Sequence, residues 1–254
     1  VSGTTYYWRV RARESGGGGT WGAWATTTSF TYLAGTEPSQ WFQTTDAQFD
    51  TNTLSGVQTF GSDAARLTIA ASQEAMIAYG EGVVQTPRYR IWNGTAWSSE
   101  ASANSVGGTI QWVRTKAAPM RDEYVMGTQD AVNDVNVQIF NGTTDTWGTV
   151  TEMTTGVSNA ARRGFDLAYE NSSGDIMTVY CDGDADPSYR VWNGSSWSAA
   201  QTVNITSANN CEWISLMSDP TSDEIILVER DTGAAYEAQV WDGSAWGNAK
   251  VLGS

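Results

Sequence analysis

The chain is 254 residues long, with 28 acidic and 14 basic side chains, a formal net charge of −14 and no histidine. The acid excess argues against a nucleic-acid partner, because phosphate binding depends on a basic surface, and the lack of histidine excludes a His-based triad, a histidine general base and a histidine-containing metal site. No apolar run approaches the ~20 residues of a membrane-spanning helix, and 13 Trp and 10 Tyr among abundant Gly and Thr, without a long helical period, point to an all-β fold.

Residues 1–32 read as two strands, Thr5–Ala12 and a Thr-rich stretch ending at Phe30, joined through Glu14-Ser15-Gly16-Gly17-Gly18-Gly19. The run Thr5-Tyr6-Tyr7-Trp8-Arg9-Val10-Arg11-Ala12, with Trp24 and Ser29-Phe30 beyond, resembles the last two strands of a fibronectin type III domain. The resemblance implies that 1–32 form the C-terminal part of such a domain. An isolated hairpin is marginal in water, so it is expected to pack on the following domain, to pair with another chain, or to be the remnant of a cut. Residues 33–48 read as a linker, broken by Gly35 and Pro38. Beyond it, Leu54, Val57 and Phe60 suit a lead-in strand to the array that fills 49–254.

That array is organised by one phrase spoken four times: Trp92-Asn93-Gly94-Thr95-Ala96-Trp97, Phe140-Asn141-Gly142 leading to Trp147, Trp192-Asn193-Gly194-Ser195-Ser196-Trp197, and Trp241-Asp242-Gly243-Ser244-Ala245-Trp246. The second aromatic recurs at 97, 147, 197 and 246, a period of about 50 residues and the mark of a repeat architecture. Asn-Gly or Asp-Gly between alternating runs predicts a two-residue type I′ hairpin, whose central residues both need positive φ. The two aromatics would then pack across the turn.

Four units follow, at about 64–100, 101–151, 152–203 and 204–254. First strands are predicted at Arg66–Ser72, Thr109–Lys116, Gly164–Glu170 and Cys211–Ser218, and second strands at Glu74–Gly80, Glu123–Thr128, Asp175–Cys181 and Glu224–Glu229. The third strand ends in the phrase's first aromatic, and the fourth starts at its Trp. Four short hairpin-linked strands per unit is the plan of a β-propeller blade, so the expected fold is a propeller-like array of about four blades. The units resemble the aromatic-Asn-Gly-x-x-Trp-Ser repeats of bacterial and archaeal surface proteins and, more distantly, the Asp-box turns of sialidase-like propellers, although the Ser-x-Asp-x-Gly order of those turns is missing.

Cys181 ends one predicted strand and Cys211 starts a strand of the next unit, on one face of the array, where a disulfide would staple neighbouring blades; two buried thiols are the alternative. Asp182, Asp184 and Asp186 alternate as at the start of many calcium loops, yet Pro187 and Asn193 stand where such a loop needs Gly and Glu. A merely acidic rim is the competing reading. Asn93, Asn141, Asn171, Asn193 and Asn204 fit the glycosylation acceptor pattern, with turn geometry as the simpler reason for the Asn residues. No phosphate loop, nucleophile elbow or zinc spacing appears, so no catalytic residue is nominated.

The leading expectation is a non-catalytic extracellular or cell-surface protein, a structural, adhesive or filament component; a third reading, a polymer subunit that pairs with copies of itself by strand donation, rests on the N-terminal hairpin. The alternative is a glycan-binding or glycan-cleaving propeller in which Trp and Tyr side chains meet sugar.

Overall fold

The computed structural model describes residues 4–8, 28–32, 62–67, 74–159, 161–205 and 209–253. The chain divides into two units, Val1–Ala47 and Gln48–Ser254. In the first, β1 (Thr4–Trp8) and β2 (Thr28–Tyr32) pair antiparallel with Tyr6 opposite Phe30. The predicted Gly loop, Trp24, the linker at 33–48 and the lead-in strand at 54–60 lie outside the described residues.

The second unit holds four antiparallel meanders in chain order. The first contains β3 (Ser62–Arg66), β4 (Glu74–Tyr79), β5 (Arg88–Asn93) and β6 (Ala101–Ser102). The second contains β7 (Ile110–Ala117), β8 (Glu123–Asp130) and β9 (Val135–Asn141), with β10 (Thr146–Trp147) and β11 (Thr151–Thr154) both paired to β9. The third contains β12 (Phe165–Tyr169), β13 (Ile176–Tyr180), β14 (Ser188–Trp192) and β15 (Gln201–Thr202). The fourth contains β16 (Cys211–Ser218), β17 (Ile225–Asp231), β18 (Tyr236–Trp241) and β19 (Trp246–Gly253).

Successive sheets meet through their first strands. The Asp63 carboxylate on β3 accepts the Thr115 N–H of β7 at 2.9 Å, and Asp166 on β12 accepts the Leu216 N–H of β16 at 3.0 Å. Arg114 on β7 bridges the two acids, 2.8 Å from Asp166 and 3.2 Å from Asp63. A buried carboxylate without such partners would carry a large desolvation cost, so these bonds are what allow Asp166, fully buried, to stand at the inner edge. The meanders are therefore blades, with β3, β7, β12 and β16 innermost.

The core lies in the seams between blades. Leu67 and Met76 of the first blade meet Tyr124 and Phe140 of the second; Val125 and Val137 meet Phe165 and Leu167; Met177 and Val179 meet Ile214 and Leu227. Each large apolar side chain buried there contributes about 1.5–3 kcal/mol.

The described first strand of the first unit is Ser62–Arg66, with Asp63 opposite Ala78, and residues 68–72 of the predicted Arg66–Ser72 strand lie outside the described residues. Two expectations are corrected. The repeated turn is not an Asn-Gly type I′ turn: Asn93 N–H bonds the Ala96 carbonyl, which makes Asn93 and Ala96 opposite residues and Gly94-Thr95 the tip. Only Gly94 there has positive φ, +95°, while the Asn93 side-chain oxygen takes the N–H groups of Thr95 and Ala96. Asn193 and Asp242 act alike, so the Asx position is required for its side chain, while the glycine after it supplies the positive φ. Finally, the fourth strand starts at the phrase's Trp in the fourth blade and within one residue of it in the second; Trp97 and Trp197 form single bridges to Trp92 and Trp192.

That last difference belongs to a wider pattern in which alternate blades are alike. The first and third share the Asp63 and Asp166 bonds to the next blade and the Ser98 and Ser198 hydroxyls accepting from Ile91 and Val191. The second and fourth share an irregular first strand, at Ile110/Trp112 and Cys211/Trp213, and a carboxylate, Asp130 or Asp231, that accepts a backbone N–H of the turn after the second strand.

Candidate functional site

Strand register gives each seam residue its counterpart in the other blades. Ala78, Gly127, Val179 and Val228 stand opposite Tyr89, Val137, Tyr189 and Ala238 of the respective third strands. Tyr89 reaches across the first seam to Phe140 and Trp147, at ring-centroid distances of 5.6 and 5.4 Å. Tyr189 crosses the third seam to Trp241 and Trp246, at 5.7 and 6.0 Å. Edge-to-face packing at these distances adds about 0.5–1.5 kcal/mol per pair beyond burial. Both seams are thereby filled.

The middle seam differs because its third-strand residue is Val137. Its inner part is closed by Phe165, whose ring lies over Gly127 so tightly that a Cβ on Gly127 would stand 2.5 Å from it. Farther out, the small Val137 leaves a cavity of about 430 Å³, walled on one side by Trp192 and Trp197 and on the other by β9 and the Thr-rich stretch after it. Trp192 and Trp197 lie 5.6 Å apart, both half-buried, and the Trp192 indole N–H is buried without an acceptor. Glu123, Asn141, Thr144 and Thr146 supply polar groups around the opening. Glu123 accepts from Arg121 at 2.9 Å and from the Tyr169 hydroxyl at 3.0 Å, which holds its carboxylate in place, and burial together with that carboxylate pushes the Tyr169 hydroxyl well above its ordinary pKa. Thr144 and Thr146 share one hydroxyl hydrogen bond at 2.7 Å. Aromatic surface with a few fixed polar groups, in a cavity of a few hundred Å³, suits a small polyhydroxylated ligand that offers one apolar face and several hydroxyls.

The eight aromatics of the repeated phrase thus fall into two groups. Phe140, Trp147, Trp241 and Trp246 are packed under a tyrosine, whereas Trp192 and Trp197 face the cavity. Trp92 and Trp97 pack on each other at 5.6 Å. Sequence reasoning missed Val137, Glu123, Thr144 and Thr146; the signal for the first was the Tyr89 and Tyr189 pair 100 residues apart with Val at the intervening position.

Cys181 and Cys211 are joined in a disulfide that ties the third blade to the fourth. Asp182, Asp184 and Asp186 are engaged separately: Asp182 accepts from the Ser188 hydroxyl, Asp186 accepts the Ile205 N–H at 3.0 Å, and the Asp184 side chain is exposed. Among the described residues no three carboxylate or thiol groups gather as a metal ion would require. Asn93, Asn141, Asn193 and Asn204 are exposed, while Asn171 is half-buried and donates from its side chain to the Pro220 carbonyl of the next blade. Glu229, fully buried where Tyr79, Thr128 and Tyr180 stand in the other blades, has no partner for either carboxyl oxygen. Burial first, then the neighbouring Asp231, Glu237 and Asp186, push its pKa up to about 8.

No protein-family model matches the chain, and no curated protein is similar to it in sequence. Among solved structures it is similar in fold to a fungal lectin of Aleuria aurantia described as a six-bladed β-propeller, at 14% identity and a TM-score of 0.56 over 80% of this chain and 65% of that one. The same lectin in complex with Fucα1-6GlcNAc gives 14% identity and a TM-score of 0.57 over 80% and 64%. The SapL1 lectin in complex with α-methyl fucoside gives 14% identity and 0.50 over 75% and 65%. The chain spans less than two thirds of the length of each of these lectins, and at these identities the likeness establishes the fold alone: an array of β-propeller blades.

Proposed function

We propose that the chain is a glycan-binding propeller that holds a neutral sugar in the seam between its second and third blades. The observation that carries this reading is the cavity opened by Val137 against Trp192 and Trp197, at a position that tyrosine fills in the two neighbouring seams. A pyranose ring stacks one C–H face on an indole and turns its hydroxyls toward Glu123, Asn141 and the threonines. The free Trp192 N–H gains a hydroxyl acceptor on binding. Lectins of the same fold bound to fucosides support a sugar, and fucosides are the first ligands to try. This replaces the purely structural role as the preferred reading and makes adhesion a consequence of sugar recognition. On this reading the chain works outside the cell or at its surface, with residues 1–32 as part of a fibronectin type III-like spacer.

The test is a glycan array followed by calorimetry on the strongest ligand. Wild type is expected to bind, and Val137→Tyr, which restores the residue of the adjacent seams, is expected to abolish binding while leaving thermal stability unchanged or higher. Binding that survives Val137→Tyr places the sugar elsewhere; an array without a hit defeats the reading.

A further inference from the structure

The inner ends of the four blades surround a second cavity, about 310 Å³, lined by Arg66 at the end of β3, Lys116 and Pro119 of the second blade, Tyr169 and Asn171 of the third, and Ser218 of the fourth. Its polar wall is unlike the rest of the molecule. In a protein with twice as many acidic as basic residues, this cavity is lined by two cations and no carboxylate. The nearest acids are already engaged: Asp63 with Arg114, and Asp166 with Arg114 and Arg163. Arg66 and Lys116 are thus surplus to the local charge balance, and neither side chain has an ion pair among the described residues. The remaining polar groups of the wall are spent internally, the Tyr169 hydroxyl on Glu123, the Ser218 hydroxyl on the Tyr169 carbonyl and the Asn171 amide on the Pro220 carbonyl. Burial, followed by repulsion from Arg114, lowers the Lys116 pKa although Asp166 and Asp63 act against it, so those shared acids do not fully offset its burial.

We infer that this axial cavity is a binding site for a small oxyanion, a ligand carrying carboxylate or phosphate groups, held between Lys116 and Arg66. The geometry favours it because a partly dehydrated lysine and an arginine on adjacent inner strands, in a recess with no competing acid, make charge-assisted hydrogen bonds stronger than the same pair would make in open water. The inference stands apart from the sugar pocket, with which it shares no lining residue.

The chain has only two lysines, Lys116 and the exposed Lys250, and that makes a direct test possible. Wild-type protein is acetylated with an amine-reactive ester near neutral pH, with or without millimolar inorganic phosphate or citrate at matched ionic strength, and each lysine is followed by mass spectrometry. Phosphate, citrate or both are expected to slow Lys116 several-fold and leave Lys250 unchanged. Protection by both anions identifies a general oxyanion site, and protection by one identifies which group it prefers. Equal slowing of both lysines, or of neither, overturns the inference. Calorimetry then compares wild type with Lys116→Met and Arg66→Gln, each expected to weaken anion binding about ten-fold or more through loss of a charge-assisted bond. Unchanged affinity in both variants overturns the inference equally, and the labelling result stands on the wild-type protein if either variant fails to fold.

Discussion

Two buried acids show how differently one side-chain type is accommodated in this protein. Asp166 is satisfied by Arg114, Arg163, a backbone N–H of the next blade and its own neighbour's N–H. Removing its charge leaves two guanidinium groups partly unpaired, so Asp166→Asn is expected to cost about 3–5 kcal/mol, read from urea denaturation. Glu229 is the opposite case, its pKa pushed up to about 8 by burial first and then by Asp231, Glu237 and Asp186, with no partner for either carboxyl oxygen. Below its unfolded value of 4.5 the group is protonated in both states and its contribution to stability is fully present. As the pH rises toward about 8 the unfolded chain ionises first and that contribution is lost. Wild type should therefore lose stability between about pH 5 and pH 8 by up to a few kcal/mol more than Glu229→Gln, in which the carboxyl is replaced by a neutral amide. Equal pH dependence in the two proteins would remove Glu229 as a cause. Neither role could be read from the sequence, where Asp166 and Glu229 are two of 28 acids; what distinguishes them is which blade lies across the seam.

At the scale of the strand and turn, the sequence was more legible. The repeated phrase located the third strand and the hairpin tip of every blade, because an aromatic, an Asx residue and a glycine must stand in that order to end a strand and reverse the chain. It said less about the first strands, which it does not border: the described one of the first blade is Ser62–Arg66, set by Asp63 opposite Ala78, and residues 68–72 of the predicted strand lie outside the described residues. The phrase also looked uniform, whereas its aromatics differ in surroundings. Trp241 is 6% exposed, receives Tyr189 on its ring and donates its indole N–H to Glu170 of the preceding blade at 2.6 Å. Trp241→Ala should cost about 3–5 kcal/mol by denaturant titration. Trp197→Ala, at the half-open cavity wall, should cost less than half as much while weakening sugar binding. Equal losses at the two positions would mean that the middle seam is as well filled as its neighbours.

Over the whole array, the 50-residue period announced blades, and their number among the described residues follows directly from it. The cavity of the middle seam was not visible in the same way, since Val137 reads as an ordinary strand residue until it is aligned by register with Tyr89 and Tyr189. The Cys181–Cys211 bridge closes a 30-residue separation across one seam. Its loss in a Cys181→Ser/Cys211→Ser double variant is expected to lower stability by about 3–4 kcal/mol, measured as a shift in the thermal midpoint, with the third and fourth blades first to lose hydrogen-exchange protection.

If the proposed sugar binding holds, the likeness of alternate blades has a consequence for how strongly the protein would hold a glycan-coated surface. Seams inside a pair of blades are plugged by tyrosine, and the seam between pairs is open, so sugar sites would come at half the density of the blades. A ring assembled from such pairs closes on an even blade count and gains valency one pair at a time. Avidity for a glycan-coated surface would then be set by the number of pairs, with neighbouring sugars held two blades apart, a spacing that selects for ligand density as well as ligand identity.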